Sequence, residues 1–446
     1  MKRIISVCSG AVLMLTFPTQ ASAATNSIQL SGAYLNELAE IMRTNHPALR
    51  AAASRVRAAD QSATAVRTWD DPELMLGGML ASREMRADEG DLLYGIRQPL
   101  PLFGKPAALR SAALAGAAVA LAEADLRYQF LRRDMAVTAF QAALGQHIVG
   151  AAVEDVAWLE ALAETARARH ASGAGEQLEV LRVENELARR REELQTERLA
   201  RGHDEFALNR FLNQPLETPW PALELPAPAD PIFYNREVVA MATRFEPMIQ
   251  VFRRQIEAAE ADTGVARRAA RPEVSVGLEG RNYTGNGNFR QGMVTLGISL
   301  PWLNRSRYRA DIARTESLRE ALERELADQE LATRQEVHDL VIRIDDGRRR
   351  ALVQRDEIIP RTRAMLESAY AAWVAGGGST RDLLEIRRLL VAAELDYYRG
   401  VTAQYQAMAE LILCCGLEDL EALAEVGAQP DAVTNESSTS TKESQP

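Results

Sequence analysis

The chain has 446 residues, a formal net charge of −10 and three cysteines. An acidic balance of this size excludes a general nucleic-acid-binding role, which needs an excess of Lys and Arg, and three cysteines exclude a disulfide scaffold. The length allows two domains or two copies of one unit.

Residues 1–23 read as a cleavable export signal. Lys2 and Arg3 give a positive start, residues 4–17 an apolar core, and Ala21-Ser22-Ala23 a small-residue cleavage pattern. Cys8 lies inside that core and is not placed to become a lipidated first residue. Cleavage near Ala24 removes Lys2 and Arg3 and moves the net charge to −12. Two short helical patterns follow, at 28–43 and 48–67, joined at Asn45-His46-Pro47 and ending before Trp69-Asp70-Asp71-Pro72.

The period then changes. Leu74, Leu76, Gly78 and Leu80 share one strand parity, and Leu92, Tyr94 and Ile96 share another across the polar stretch 81–91. Pro99, Pro101, Gly104 and Pro106 mark a sharp transition into 107–169, a proline-free run of Ala, Leu, Glu, Arg and Gln at helical spacing. At roughly 1.5 Å per residue that run reaches about 95 Å, a length that belongs to a coiled coil, a solenoid arm or a tube. A break at 170–175 turns the chain, and a second run, 177–211, must return antiparallel.

The second half repeats the first. Asn45-His46-Pro47 matches Phe245-Glu246-Pro247, and Pro72-Glu73-Leu74 matches Pro272-Glu273-Val274, both at an offset of 200. Ile96 and Pro99 match Ile298 and Pro301 at 202; Leu181, Leu187 and Glu192 are read against Leu383, Leu389 and Glu394 at the same offset. In the second copy Val274, Val276 and Leu278 alternate with Ser275, Gly277 and Glu279, and Val294, Leu296, Ile298 and Leu300 with Thr295, Gly297 and Ser299. A polar loop occupies 281–290, where Tyr283 or Phe289 is placed to narrow an exit or to anchor at an interface. The long helical pattern resumes over 305–374, interrupted by Pro360; 375–379 closes the second hairpin and 381–415 returns.

The resulting division is 24–71 for the N-terminal helices, 72–100 for the first strand pair and 101–213 for the first hairpin. A connection at 214–244, proline-rich over 215–231, leads to a helix at 245–271, the second strand pair at 272–301 and the second hairpin at 302–415. Residues 416–446 form a terminal segment whose tail, 428–446, is expected to be disordered.

No mature segment reads as a membrane helix: 112–122 is weakly apolar, too short to span and flanked by charge. A membrane crossing must therefore use strands. Four strands cannot close a useful pore, and an open sheet leaves backbone groups unpaired in lipid at several kcal/mol each. Three chains supply 12 strands and 12 long helical segments. The expected fold class is a mixed membrane β-barrel and α-helical tunnel: a homotrimer with four strands per chain in a 12-stranded barrel, continued by long antiparallel helical hairpins. Val274, Val276 and Leu278 would face lipid, and Ser275, Gly277 and Glu279 water. A soluble sandwich shows the same strand period and is the competing fold.

This order of elements, with the junctions Gln98-Pro99-Leu100-Pro101-Leu102-Phe103-Gly104-Lys105 and Ser299-Leu300-Pro301-Trp302-Leu303, resembles the TolC-family outer-membrane efflux proteins over residues 28–420. Leu102-Phe103-Gly104-Lys105 is particularly similar to the heavy-metal cation efflux branch. The resemblance implies a trimeric outer-membrane barrel with a periplasmic helical tunnel. It implies a passive exit duct, not an enzyme and without a cofactor, working with a periplasmic membrane-fusion adaptor and an inner-membrane pump of the RND type. Heavy-metal cations are the implied cargo; export of drugs or other small molecules, or a soluble periplasmic hairpin protein, are the alternatives.

Chemical sites are sparse. His46, His147, His170, His203 and His338 are scattered without metal-ligand spacing, and adjacent Cys414 and Cys415 read as packing residues. Neither Asp70-Asp71 nor Asp345-Asp346 has a partner cleft for acid–base work, and hydrolase, Walker A and zinc-enzyme signatures are missing. The hairpin turns are better candidates for a periplasmic gate or adaptor-facing site: Gly173, Gly175, Glu176 and Glu179 in the first, Gly376, Gly377, Gly378, Arg381 and Asp382 in the second. Arg381 and Asp382 suit interchain or interhairpin ion pairs, or equally solvated caps. Glu179 and Asp382 suit lumen carboxylates, repeated threefold in a trimer to attract cations.

Overall fold

The computed structural model describes residues 27–78, 92–284, 287–417 and 419–427. The export signal with Cys8, Leu80 and the connection 81–91, Asn286 and the tail 428–446 lie outside the described residues.

The described chain opens with β1 (Ile28–Gln29), not with helix. Ser31 then caps α1 (Gly32–Asn45), its hydroxyl accepting from the Tyr34 amide. α2 (Pro47–Ala65) starts with proline at N1 and His46 as cap, the imidazole Nδ1 accepting from the Ala48 amide at 3.2 Å. β2 (Glu73–Gly78), β3 (Leu92–Leu100), α3 (Lys105–Ala171) and α4 (Gln177–Leu212) complete the first copy. The connection holds β4 (Leu223–Glu224), which pairs in parallel with β1, and α5 (Arg236–Phe245). In the second copy, α6 (Pro247–Ala269) repeats the cap-then-proline start, with Glu246 Oε2 accepting from the Ile249 amide at 2.6 Å. Then come β5 (Val274–Asn282), β6 (Phe289–Ile298), α7 (Arg305–Val353), α8 (Ile359–Val374), α9 (Thr380–Cys415) and α10 (Leu420–Gly427).

The sheet runs β2-β3-β5-β6, antiparallel throughout, and leaves β2 and β6 as edges. Its register aligns Leu74, Ile96, Leu278 and Val294 in one row across all four strands. Those side chains are 71%, 48%, 61% and 72% exposed, so a whole apolar face has no partner within the chain. The next row, Glu73, Arg97, Gly277 and Thr295, lies on the opposite face and is polar or small. There a Cβ on Gly277 would stand 2.4 Å from Thr295 Oγ1, so the polar face is the crowded one. On the apolar face Tyr94 covers Gly280 and donates to Asn282 Oδ1 at 3.2 Å.

α3 alone has 67 residues, about 100 Å at 1.5 Å per residue. α2 and α6 pack along it, α6 also along α7, while α4 and α9 return beside α3 and α7. The central core gathers Met42, Met135, Phe140, Leu208, Leu340, Ile344 and Leu411 from five helices. A second, distal cluster contains Leu159, Ala163, Val183, Leu187, Trp373 and Leu383. One expectation fails here. Within Lys105–Ala171 an 18-residue window reaches a mean hydropathy of 1.4, long and apolar enough by length and composition to cross a membrane, and only 6% of it is buried within the chain. Alanine supplies that hydropathy without large apolar side chains, which is why 112–122 read as weakly apolar.

The two copies are not in a single register. Met135 and Val337, Ala142 and Ile344, and Gly145 and Gly347 are buried pairs related by an offset of 202. Beyond a π turn at Gln354–Ile358 the offset becomes 203: Gly173 and Gly376 in the turns, Leu187 and Leu390 in the core, Asn213 and Gly416 as left-handed C-caps. The salt bridge Glu160–Arg191 (2.6 Å) recurs as Arg363–Glu394 (2.9 Å) with its charges exchanged, again at the larger offset. The offset of 202 read for Leu187 and Leu389 is therefore corrected: Leu187 is 7% exposed and Leu389 54%. One extra residue in the second copy is absorbed by the wider π turn. It falls just before Pro360, which lacks the amide for a normal helical bond, so the helix continues through a π turn where an interruption was read.

At Gly347, α7 crosses α9 at close range. A Cβ there would stand 2.8 Å from both Gln404 N and Gly400 O, backbone atoms that cannot rotate away. Gly347→Ala is expected to lower stability by about 1–3 kcal/mol through overpacking. Thermal unfolding checks this, with Gly150→Ala, which meets nothing within 4 Å, as the control expected to show no loss.

Candidate functional site at the distal ends of the hairpins

Both hairpins turn by the same device. After α3, Gly173 adopts φ +76 and its amide bonds His170 O at 3.0 Å; Ala174 N bonds Arg169 O at 2.8 Å. After α8, Gly376 adopts φ +86, with Gly376 N to Trp373 O at 3.1 Å and Gly377 N to Ala372 O at 3.0 Å. These positive φ values need glycine. Gly175 and Gly378 serve close approach instead: a Cβ would sit 3.2 Å from Arg169 Cβ in the first turn and 2.7 Å from Trp373 N in the second.

Three residues fasten the turns together: Thr380, which the sequence places in the second turn, and Arg169 and Trp373, which it did not single out. Arg169 donates to the Trp373 carbonyl of the other hairpin and to Ala174 O of its own at 3.2 Å, and its guanidinium lies 4.5 Å from the Trp373 ring centroid. Trp373 is wholly buried, and its indole donates to Thr380 Oγ1 at 2.9 Å. The available signal was a lone tryptophan, Trp373, beside a glycine-rich turn.

The predicted charges sit differently. Glu176, Arg381 and Asp382 are exposed and Glu179 is half-buried, and among the described residues Arg381 and Asp382 make no salt bridge. Neighbours on the first turn of α9, they diverge by about 100°. Interhairpin ion pairs do exist, further along the rods. Asp155 on α3 accepts from Arg387 Nε on α9 at 2.7 Å and has Arg190 Nε of α4 at 3.0 Å, a charge pairing without hydrogen-bond geometry. Glu186 on α4 accepts from Arg388 Nε on α9 at 2.8 Å and from Arg189 at 2.6 Å. Asp155 and Glu186 are only 7% and 9% exposed, and Arg387 also lies over Trp158 at 5.2 Å.

Burial pushes the Glu186 carboxyl upward, but the hydrogen bonds and charges of Arg388 and Arg189 outweigh it and hold the group at about 2. A folded value below the ordinary 4.5 means that the stabilisation is fully present above about pH 4.5 and is lost as pH falls through about 2. The full shift corresponds to about 3 kcal/mol; with Arg388 and Arg189 half-exposed and screened, about 1–2 kcal/mol is expected. Unfolding followed from pH 5 to pH 2 should show a shallower acid dependence in Glu186→Gln than in the parent protein.

The sequence profile of the family described as outer membrane efflux protein matches residues 38–214 and 239–417. The chain belongs to the outer membrane efflux protein family. The two matched blocks are the two copies. Among solved structures, the outer-membrane channel OprN aligns with a TM-score of 0.72 at 18% identity, covering 92% of this chain and 98% of that one. The outer membrane protein VceC from Vibrio cholerae gives 0.71 at 18% identity, with 86% and 96% covered. CusC, described as forming a transmembrane channel, gives 0.75 at 15% identity, with 86% and 92% covered. No curated protein sequence matches the chain. The efflux protein thus shares the chain fold of these channels, a four-stranded sheet set on long helical hairpins. It is a passive efflux channel, not an enzyme, of the outer membrane with a periplasmic helical extension.

In this efflux protein four of the five histidines make structural contacts. His46 caps α2, His170 Nδ1–H donates to Gly175 O at 3.1 Å, His147 stacks on Tyr398 at 4.0 Å, and His338 meets Tyr234 edge-on at 5.2 Å. Among the described residues no three of His, Cys, Asp or Glu are grouped to hold a metal ion. Cys414 and Cys415 are buried in the central core, where burial pushes the Cys415 thiol up to about 12.

Proposed function

We propose that three copies join edge strands β2 and β6 into a closed 12-stranded barrel, and that their helices form one tunnel across the periplasm. The tunnel rests shut at its far end. It opens when an inner-membrane pump of the RND type and a membrane-fusion adaptor engage the turns around Gly173–Glu179 and Gly376–Asp382, and it then conducts heavy-metal cations outward. The single observation that carries this reading is an apolar, unpartnered sheet face with two open edges set on rods that are tied to each other by ion pairs on the buried carboxylates Asp155 and Glu186. Unpaired edges in lipid cost several kcal/mol per backbone group, so closure by further copies follows. Three copies of Glu179 and Asp382 would line the entrance with carboxylates that favour cations.

Planar-bilayer recording of the purified protein tests the duct, with low conductance expected alone and a rise on adding its adaptor. Absence of both sinks the reading. Metal-ion and drug tolerance of cells with and without the channel test the cargo; restored tolerance to drugs only would replace metal cations by organic ones. Asp382→Ala is expected to reduce cation preference while leaving insertion intact, read as reversal potential in a salt gradient.

A further inference from the structure

Between Asp155 and the sheet, about 12 Å back along α3 at 1.5 Å per residue, His147 meets α9 on the same seam. Its imidazole stacks on Tyr398 with ring centroids 4.0 Å apart and planes 12° from parallel, and Tyr397 braces Tyr398 edge-on at 5.1 Å. His147 Nε2 is closed off from solvent and has no hydrogen-bond partner among the described residues.

A groove of about 520 Å³ runs alongside the stack. Glu154 lines it from α3, Glu394 from α9, and Arg355 and Arg363 from the π turn and α8. Three of these charges are already engaged: Arg363 pairs with Glu394 at 2.9 Å, and Arg355 with Asp356 at 2.7 Å. Glu224 of β4 is the further charge that acts on the ring.

A neutral imidazole tolerates this setting because one of its nitrogens carries no proton. Protonation places an N–H on both, and the one at Nε2 then lies buried without an acceptor while the new charge is cut off from water. The face of Tyr398 offsets part of that cost, but the Nε2–H points along the plane of its own ring, away from the face it stacks on. Burial accordingly pushes the His147 imidazole below its ordinary 6.5, against the opposite pull of Glu224.

We infer that His147 is a proton-sensitive latch on the seam between α3 and α9: the shut tunnel keeps the ring neutral, and parting the hairpins lets it take up a proton. The inference rests on the opening proposed above. Because the open state binds the proton more tightly than the shut one, acid favours opening. An imidazole released to its ordinary 6.5 is protonated about ten to one at pH 5.5. Acidification from pH 7.5 therefore raises the ratio of open to shut by up to about 10-fold for each copy that parts. Glu186, held at about 2, stays ionised throughout this window. Glu197 on α4, raised by burial near Arg190, is the competing titrating group on the rods.

The test records the purified full-length protein in planar bilayers at pH 7.5 and pH 5.5 without adaptor, and at pH 7.5 with it, beside His147→Gln and His147→Phe. The parent is expected to open more at pH 5.5, within the 10-fold ceiling, and both variants to stay flat; the adaptor should open all three. Thermal unfolding supplies a measurement apart from gating. A folded value below 6.5 means the unfolded chain binds more protons as pH falls through 6.5, so the parent should lose more stability than His147→Gln between pH 7.5 and pH 5.5. An equal acid response in parent and variants, by conductance or by unfolding, places the titration on another group such as Glu197 and overturns the latch. A parent that the adaptor opens and acid does not overturns the latch alone, whereas a parent that neither opens overturns the gating reading with it.

Discussion

Asp155→Ala is expected to leave the efflux protein conducting without its partners. The substitution removes the carboxylate shared by Arg190 and Arg387, whose side chains are only 13% and 14% exposed. Breaking a buried pair from one side costs about 3–5 kcal/mol because the opposite charge stays desolvated. Arg190 keeps Glu193 at 2.8 Å and Glu197 at 3.8 Å, whereas Arg387 is left with the face of Trp158. The loss therefore falls on the contact between α3 and α9, the seam between hairpins that would part in the proposed opening. Bilayer conductance of the variant alone should rise toward the adaptor-bound level, with Asp155→Asn intermediate because it keeps shape and loses charge. A folded, membrane-inserted Asp155→Ala channel that stays shut would remove Asp155 from the closing mechanism.

Trp373→Ala is expected to loosen both turns together, at a cost of about 3–5 kcal/mol for emptying a fully buried indole site. Arg169 then loses the ring beneath it and Thr380 loses its donor. Protease cleavage near Gly173 and near Gly376 should accelerate in parallel, because one residue serves both hairpins. Trp373→Phe keeps most of the packing and deletes the indole N–H, so its expected loss is about 1 kcal/mol. If only the second turn became sensitive, the coupling through Arg169 would be wrong.

Much of the architecture was legible as period and punctuation. Alternation at Val274–Leu278 and Val294–Ile298 marked the strands, the proline-free alanine run marked α3, and the glycines at 173 and 376 marked the turns where left-handed backbone is needed. The β1–β4 pair escaped because two-residue strands carry no period. The early helix boundary at 28 was wrong for the same reason. The register change at Gln354–Ile358 escaped because a single inserted residue inside a continuous helical pattern leaves the residue types unchanged.

The glycine turns were legible in the sequence; the side chains that tie the two hairpins together were not. Charged residues on long helices ordinarily read as solvated faces, and Asp155, Glu186, Arg190 and Arg387 look no different from their neighbours in the chain. Arg381 and Asp382, beside a glycine turn, stood out in the sequence, yet among the described residues they make no salt bridge and lie exposed.

What the sequence determined by itself was a duplicated unit of strand pair and long hairpin, because propensity, period and turn chemistry act over a few residues at a time. Tertiary structure alone decided which carboxylates are buried between hairpins, how the offset between the two copies changes at the π turn, and that Arg169 reaches Trp373 across the gap. Those outcomes depend on where two helices from opposite halves of the chain cross, and burial at a crossing is set by the rotation of each helix about its own axis, which local composition does not encode.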